Sequence, residues 1–238
     1  TIKYDHIPSI NYLYKDQARV IHEPIQSIPK RVGYIVGAGD KVPEALLQLG
    51  HTVEFLTESD IVETKLAAYD VIVVGIRAYN IHEWLTNKNE VINRYIQQGG
   101  HLIVQYLKSN LVGNKRVKVG PYDFAMSNIR VTEENAPVHL LQANHPFLNF
   151  PNKISDKDFE NWVQERSTYQ MEPVKTPYEP ILQMNDTNDK PTSGSLVTAK
   201  YGKGHFTYVS LVLFRQLPVG VPGSYKLLAN LVSLTPNK

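Results

Sequence analysis

The chain has 238 residues, 42% of them hydrophobic and 20% charged, which is typical of a globular protein with one large domain or one domain plus an extension. The net charge is +2 and the sequence has no dense run of Lys and Arg, so a nucleic-acid partner is not expected. No apolar run approaches the roughly 20 residues of a membrane span, so no membrane span is expected either. The absence of Cys excludes disulfides, Cys-based zinc sites and Cys nucleophiles.

Residues 1–30 lack helical periodicity and are predicted to be an extension or linker packed on the main domain. Within them, "ARVIHEPI" predicts an edge strand, because Pro24 is tolerated only at a sheet edge or a strand end. Thr1 is not an initiator methionine, so we expect a processed chain or a piece of a longer protein. The compartment stays open, and export to the periplasm or the cell exterior is one option.

From Arg31 onward, strands and helices alternate. Apolar stretches predict strands at residues 32–36, 53–56, 71–75 and 101–106. Between them, "AGDKVPEALLQLG", "SDIVETKLAAY" and "NEVINRYIQQGG" predict helices, the first of which has Asp40 as its cap. The stretch "DVIVVGI" is almost wholly apolar, as in a strand buried on both faces of a parallel sheet. The predicted fold is therefore α/β, a flavodoxin-like parallel sheet flanked by helices.

Beyond Ser109 the alternation ends, and the C-terminal half is predicted to be β-rich. The stretch "GSLVTAKYGKGHFTYVSLVL" predicts a β-hairpin with its turn at residues 201–204, and "SYKLLANLVSL" predicts a closing helix. No domain boundary is indicated after residue 30, so residues 31–238 are predicted to form a single domain.

Four stretches carry a resemblance to a known superfamily. They are, in order, "YDVIVVGIRAYN", "YIQQGGHLIVQY", "NHPFLNFPNKI" and "AKYGKGHFTYVSL". This ordered set resembles the class I glutamine amidotransferase-like superfamily, and within it the trehalose-utilisation (ThuA-like) branch, over about residues 31–235. The resemblance implies a flavodoxin-like sheet of amidotransferase type.

Other stretches resemble the C-terminal region of large bacterial PIG-L/LmbE-type proteins. They are "GYIVGAGDKVPEALLQLG", "GPYDFAMSNIRVTEENAPV", "DFENWVQER" and "LPVGVPGSYKLLANL". In those proteins a zinc-dependent N-acetylglucosaminyl deacetylase domain precedes a domain of this kind, which implies a deacetylase domain in the same parent protein. The deacetylase signature His-Pro-Asp-Asp-Glu is absent, since His145-Pro146 continues with Phe147, so that zinc site and activity are not carried over.

The turn after "HLIVQY" is where true amidotransferases carry the Cys that forms a glutamyl thioester, as the resemblance implies. This chain has Tyr106, Leu107 and Lys108 there, so that chemistry is excluded. Ser109 would be a substitute nucleophile, but it lacks the Gly-x-Ser-x-Gly context and a recognisable His and acid. We interpret the turn as the remains of an amidotransferase elbow.

Polar side chains follow the predicted strand ends, where open α/β sheets bind ligands. They are Arg77, Tyr79 and Asn80 after "DVIVVGI", Gln105 and Tyr106 at the end of "HLIVQY", and Arg215 after the last strand. An Arg in such a place can clamp a carboxylate or a phosphate with two parallel hydrogen bonds. The structural alternative for Arg77 is an ion pair with Asp40 or Glu165.

The stretch "DFENWVQERSTY" concentrates charged and aromatic side chains. Trp162 stands beside Glu160, Glu165 and Arg166, and an aromatic ring among such groups is a common way to hold a sugar. The ThuA-like resemblance implies that an acidic segment here lines the cleft. Two carboxylates can also act as acid and base, and the structural alternative is an ion-paired loop that covers the sheet end.

Neither a cofactor nor a metal is expected. The stretch "GAGDKVPEAL" resembles a phosphate loop only superficially, because Val42 stands where the third glycine would be and Asp40 would repel phosphate. The histidines form neither His-x-His nor His-Glu-x-x-His, so their spacing supports no metal site.

These features predict a non-catalytic amidotransferase-like accessory domain that binds carbohydrate or acts as a scaffold, associated with a PIG-L/LmbE-type deacetylase of N-acetylated sugars. The alternative is a hydrolase or isomerase that acts on a sugar-like substrate through Glu160 and Glu165. A third option is a scaffold for domain packing or oligomerisation. One polar cleft at the sheet edge is predicted to be lined by Arg77, Tyr79, Asn80, Gln105, Tyr106, Glu160, Trp162, Glu165, Arg166 and Arg215.

Overall fold

The structure is a computed structural model that describes residues 1–13, 15, 20–108 and 118–234. Its strands are β1 (Ile2–Tyr4), β2 (Ile7–Ile10), β3 (Arg31–Ile35), β4 (Thr52–Phe55), β5 (Val71–Val74), β6 (His101–Gln105), β7 (Arg130–Val131), β8 (Val138–Leu140), β9 (Ser167–Thr168), β10 (Glu179–Pro180), β11 (Leu182–Met184), β12 (Leu196–Tyr201) and β13 (Gly204–Val209). Its helices are α1 (Val42–Gln48), α2 (Glu63–Leu66), α3 (Ala78–Ile81), α4 (Trp84–Asn87), α5 (Asn89–Gln97), α6 (Pro146–Asn149), α7 (Leu213–Gln216) and α8 (Pro222–Val232), and 3₁₀ turns lie at Glu58–Asp60 and Asp156–Phe159.

A seven-stranded sheet, in the order β10-β12-β13-β6-β5-β3-β4, forms the centre of the molecule. The strands β4, β3, β5, β6 and β13 run parallel, whereas β12 runs antiparallel to β13. The predicted parallel α/β fold is confirmed, and each predicted strand end lies within one residue of its position in the structure. The predicted hairpin is also present, and its second strand extends the parallel sheet beside β6.

Both faces of the sheet are covered, because alternate residues of its strands point into two separate cores. Val71 and Val73 of β5 belong to one core, which is closed by α1 and α8. Ile72 and Val74 belong to the other, which is closed by α5. The strand β5 is therefore apolar at every position, because packing on both faces of the sheet removes the side chains of each face from water.

The N-terminal segment differs from its prediction. Over the described residues 20–30 no strand forms, so the predicted edge strand is wrong there, while the part of "ARVIHEPI" before residue 20 lies outside the described residues. Side chains rather than a strand ladder tie this segment to the body of the protein. Gln26 exchanges two hydrogen bonds with the Asn152 amide, and Glu23 forms an ion pair with Lys226.

An exposed two-stranded hairpin, β1–β2, precedes that segment. None of the helices in the described part of the chain has the length and apolar character needed to cross a membrane.

Candidate functional site

The carboxyl edge of the sheet, where β3, β5, β6 and β13 end, is built from tightly packed turns. Gly37, after β3, has no room for a side chain, because an added Cβ would lie 2.0 Å from the carbonyl oxygen of Ile76. Ala38 donates its N–H to that same carbonyl at 2.8 Å. Gly37 thus permits the close approach of two strand ends, and Gly39 adopts a φ of 95°, so both glycines are accounted for without a bound phosphate.

A buried polar chain crosses beneath this edge. The Gln105 amide donates to the hydroxyl of Tyr34 at 3.1 Å, and Tyr34 donates to the Asp40 carboxylate at 2.7 Å. Asp40 also accepts the backbone N–H groups of Val42 and Ile76. These donors therefore occupy the Asp40 carboxylate. The Gln105 side chain is 6% exposed, so it supports the fold of the sheet edge from the interior.

Arg77 and Tyr106 are held together at adjacent strand ends. The N–H of Arg77 donates to the carbonyl of Tyr106 at 2.9 Å, and Arg77 adopts the left-handed conformation with φ 57°. The Asn80 amide donates to the carbonyl of Lys108 and accepts its N–H, at 2.9 and 2.8 Å. Asn80 thereby fixes the elbow after β6, while Ser109 lies outside the described residues.

The Arg77 side chain makes no hydrogen bond and no ion pair with any described residue, and its Nε is buried without a partner. The ion pairs with Asp40 or Glu165 that were considered as its structural alternative are not present among those residues. Tyr79 also has a buried hydroxyl without a partner there, but its side chain is only 4% exposed. Arg77 therefore has unused donors close to the surface, and Tyr79 belongs to the interior.

Three aromatic rings form a wall beside Arg77. The Tyr106 ring stacks on that of Tyr169 with a centroid separation of 6.0 Å and an interplanar angle of 8°. The Phe214 ring lies 5.3 Å from that of Tyr106 between centroids, at an interplanar angle of 31°. All three rings are partly exposed.

A hydrogen-bond relay fixes the elbow relative to this wall. The N–H of Leu107 donates to the hydroxyl of Tyr208, which donates to the Tyr169 carbonyl at 2.6 Å.

Glu165 is buried at the same place between two guanidinium groups. Its Oε2 accepts from Nε and Nη2 of Arg130 at 3.0 and 2.6 Å. Its Oε1 lies 2.6 Å from Nη1 of Arg215 as an ion pair, without the alignment of a hydrogen bond. The Glu165 side chain is 2% exposed, whereas those of Arg130 and Arg215 are 50% and 32% exposed.

These contacts define a group that we call the edge cluster. Its members are Arg77, Tyr106, Arg130, Glu165, Tyr169, Phe214 and Arg215. Burial raises the pKa of Tyr106, while the charges of Arg77 and Arg215 act in the opposite direction. Three guanidinium groups and one carboxylate leave an excess of two positive charges at the edge.

Two members, Arg130 and Tyr169, were not among the predicted site residues. Arg130 enters because β7 pairs with β9, which sets Arg130 opposite Thr168. That pairing joins segments far apart in the chain, and no local pattern signals it. Tyr169 lies inside "DFENWVQERSTY", but its stacking on Tyr106 depends on the same pairing.

Trp162 and Arg166 point away from the edge cluster and serve the fold. The Arg166 guanidinium donates to the carbonyls of Ala136 and Phe159 and lies over the Trp162 ring. The Trp162 indole donates to the Asp158 carbonyl at 3.1 Å. Arg166 and Trp162 are 4% and 3% exposed, and burial lowers the pKa of Arg166 to about 10.

Above them lies a depression of about 870 Å³, lined by residues 134–140, Asp156, residues 159–162 and Arg166. Exposed Glu160 borders it. The ten predicted residues are therefore distributed over three places. Arg77, Tyr106, Glu165 and Arg215 come together in the edge cluster, Glu160, Trp162 and Arg166 line the depression, and Tyr79, Asn80 and Gln105 support the edge from within.

Backbone strain is concentrated in the segments that build these two places. Among the described residues, the non-glycine positions with positive φ are Arg77, Asn161, Gln164, Tyr169 and Asn188. Arg77 and Tyr169 belong to the edge cluster, Asn161 lines the depression, and Gln164 lies in the segment between the two. Such conformations cost of order 1–3 kcal/mol each and tend to occur at functional sites.

No group of three or more His, Asp or Glu side chains within the described ranges is arranged to hold a metal ion. Compared by sequence, the chain matches no protein-family model and no curated protein.

Compared by structure, it is similar to a cytoplasmic protein of Salmonella typhimurium, with 16% identity and a TM-score of 0.57 over 87% of this chain and 100% of that one. It is also similar to a ThuA-like protein of Bacteroides uniformis, with 14% identity and a TM-score of 0.53 over 92% and 97% of the two chains. A third similar structure is PurLQS of Thermotoga maritima, with 13% identity and a TM-score of 0.52 over 85% and 97%. The chain therefore has the class I glutamine amidotransferase-like fold.

Proposed function

We propose that this amidotransferase-like chain is a non-catalytic domain that binds carbohydrate at the edge cluster and works beside a PIG-L/LmbE-type deacetylase of N-acetylated sugars. The observation that carries the proposal is the partly exposed wall of Tyr106, Tyr169 and Phe214 at the carboxyl edge of the sheet. Aromatic faces combined with a few convergent polar groups are typical of small-ligand sites in α/β folds.

The chemistry at the elbow supports a binding role rather than catalysis. The chain has no Cys, and the described elbow residues Tyr106, Leu107 and Lys108 offer no thiol or hydroxyl nucleophile with an adjacent base. We therefore expect no ammonia release from glutamine above a heat-treated control.

The alternative of acid and base catalysis by Glu160 and Glu165 has less support. Both oxygens of Glu165 face guanidinium groups, and its side chain is 2% exposed, so neither water nor substrate reaches it. Glu160 borders the depression, where the Glu165 carboxylate is not among the lining groups. A pair of catalytic carboxylates has to face one substrate from two sides, and this arrangement does not favour it.

The association with a deacetylase rests on the sequence resemblance, above all on "GPYDFAMSNIRVTEENAPV" and "LPVGVPGSYKLLANL". A domain that holds glycan chains near a deacetylase would raise the local substrate concentration at that enzyme. Deacetylation of an N-acetylated oligosaccharide by such an enzyme should be faster with this domain attached than without it.

A glycan array tests carbohydrate binding directly. The wild-type chain should bind at least one glycan class, and Tyr169→Ala should abolish that binding while the protein stays folded. Phe55→Ala is the matched control, because Phe55 is an aromatic residue of the same sheet edge, 58% exposed and outside the edge cluster. The absence of any bound glycan would leave the scaffold role and refute the binding role.

A further inference from the structure

We infer that the edge cluster selects an acidic ligand, a sugar that carries a carboxylate, and that Arg77 is the residue that captures the carboxylate. This inference rests on the proposed carbohydrate-binding function and adds the chemical class of the ligand. Nothing in the net charge of the whole chain points to it, because +2 over 238 residues is close to neutral.

The edge cluster carries an excess of positive charge. Arg130 and Arg215 flank the single Glu165 carboxylate, and Arg77 adds a third guanidinium beside Tyr106. Burial raises the pKa of Tyr106, so its hydroxyl stays protonated at neutral pH and supplies no negative charge. Asp40, which lies at the same edge of the sheet, accepts from Tyr34, Val42 and Ile76 and forms no ion pair with the guanidinium groups of the edge cluster. The excess positive charge is therefore available to a bound anion.

Arg77 has hydrogen-bond donors that no described residue uses. Its guanidinium makes no hydrogen bond or ion pair within the described ranges, and its Nε is buried without an acceptor. A buried donor without an acceptor is unfavourable, and a ligand oxygen at Nε would remove that penalty. Arg130 and Arg215 differ from Arg77 in this respect, because both already contact Glu165.

The backbone of Arg77 is held in place on both sides. The Arg77 N–H is bonded to the carbonyl of Tyr106, and its own carbonyl accepts the N–H of Asn80 at 2.9 Å. The left-handed φ of 57° is a conformation that an Arg adopts only when its surroundings impose it. The backbone from which the Arg77 side chain extends is therefore fixed before binding, so that ordering it costs no further conformational entropy when the ligand arrives.

A carboxylate matches the edge cluster better than a phosphate does. A planar carboxylate offers two oxygens in the spacing of an Arg fork, and one free guanidinium suffices for one such monoanion. A phosphate dianion would find only the Arg77 guanidinium free for its two charges, because Arg130 and Arg215 already contact Glu165. The wall of Tyr106, Tyr169 and Phe214 then accommodates the ring that carries the carboxylate.

Isothermal titration calorimetry with matched sugars tests the inference. The probes are D-glucuronate with D-glucose, D-galacturonate with D-galactose, and D-glucose 6-phosphate, at neutral pH and low ionic strength. We expect at least one uronate to bind about tenfold or more tightly than its neutral hexose. Arg77→Ala should remove that preference, and Arg77→Lys should retain only part of it, since Lys keeps the charge but loses the fork.

Arg94→Ala is the matched control, because Arg94 is a surface residue of α5 that pairs with exposed Glu63 and lies outside the edge cluster. It should retain the uronate affinity of the wild type. Thermal melts of each variant establish that it is folded.

The outcomes separate the inference from the function on which it rests. Equal affinity for a uronate and its neutral hexose would overturn the acidic ligand and leave carbohydrate binding intact. Tighter binding of glucose 6-phosphate than of either uronate would overturn the carboxylate assignment. Unchanged uronate affinity in Arg77→Ala would overturn the role of Arg77, and no binding of any probe would count against both proposals.

Discussion

The edge cluster and the depression share one segment of chain, residues 156–169, yet their polar side chains differ in whether the protein itself satisfies them. Glu165 and Arg166 are consecutive, but Glu165 faces Arg130 and Arg215 whereas Arg166 is turned to the carbonyls of Ala136 and Phe159. In the depression the Arg and Trp groups are buried and satisfied by the protein. In the edge cluster the Arg77 guanidinium and three partly exposed aromatic rings can still contact a ligand. The candidate site is therefore identified by side chains that can still bind a ligand, and not by a high density of polar residues.

The largest effect expected from this comparison is on stability at the depression. Trp162→Ala removes a buried side chain that packs on Phe159 and Arg166, and it should lower the free energy of unfolding by about 3–5 kcal/mol. Urea unfolding followed by circular dichroism measures the loss. Ligand binding by the folded fraction should persist, and a small stability loss accompanied by complete loss of binding would move the site to the depression.

Arg166→Met should have the next largest effect. It leaves the carbonyls of Ala136 and Phe159 without their charged donor and should cost about 2–3 kcal/mol in the free energy of unfolding. Arg94→Met is the matched control, since Arg94 pairs only at the exposed surface, and it should change stability little. Equal urea midpoints for the two variants would show that Arg166 is not structural.

His101 allows the pH dependence of stability to be measured separately from ligand binding. It lies at the amino end of β6, away from the edge cluster. Burial lowers the pKa of His101 to about 3, whereas an unfolded His titrates near 6.5. Between these values the unfolded chain takes up a proton that the folded chain does not. This His therefore makes stability fall as the pH drops from about 6.5 toward 3, by about 1.4 kcal/mol per pH unit.

The His101→Phe variant measures that contribution. From pH 6 to pH 5, the free energy of unfolding of this variant, determined in urea, should fall by about 1.4 kcal/mol less than that of the wild type. Parallel pH dependence of the two proteins would show that His101 takes up its proton without unfolding. Ligand binding by the folded variant should match the wild type, since the mutation lies at the opposite end of the sheet.

The smallest stability effect is expected at the residue most important for binding. Arg77→Ala removes a side chain without a partner among the described residues, so the free energy of unfolding should change by about 0.5 kcal/mol or less. Differential scanning calorimetry measures the shift. A loss of several kcal/mol would indicate a buried carboxylate that depends on Arg77, and the edge cluster would then be a structural network like the depression.

The sequence is sufficient to predict the parallel sheet and the meeting of Arg77 with Tyr106. Buried parallel strands are apolar at every position, and the carboxyl ends of adjacent parallel strands meet by geometry. The β12–β13 hairpin is also visible in the sequence, through its turn at residues 201–204.

The division into two places could not be predicted. The opposite directions of Glu165 and Arg166 follow an irregular backbone with Gln164 at φ 68°, which no periodicity signals. Arg130 reaches Glu165 only through the short β7–β9 pairing, a contact between segments that are distant in the chain. Both features depend on tertiary structure, so they become visible only in the folded molecule.

The most direct test of the account is a nuclear magnetic resonance titration of the ¹⁵N-labelled wild type with D-glucuronate and D-galacturonate. The backbone amide signals of Arg77, Tyr106 and Tyr169 should shift with the sugar acid, because all three residues contribute to the edge cluster. The indole N–H signal of Trp162, assigned with a Trp84→Phe variant, should stay in place, since it is bonded to the Asp158 carbonyl. Shifts of the Trp162 indole and of residues 134–140, with the three edge amides unchanged, would contradict the account and place the ligand in the depression.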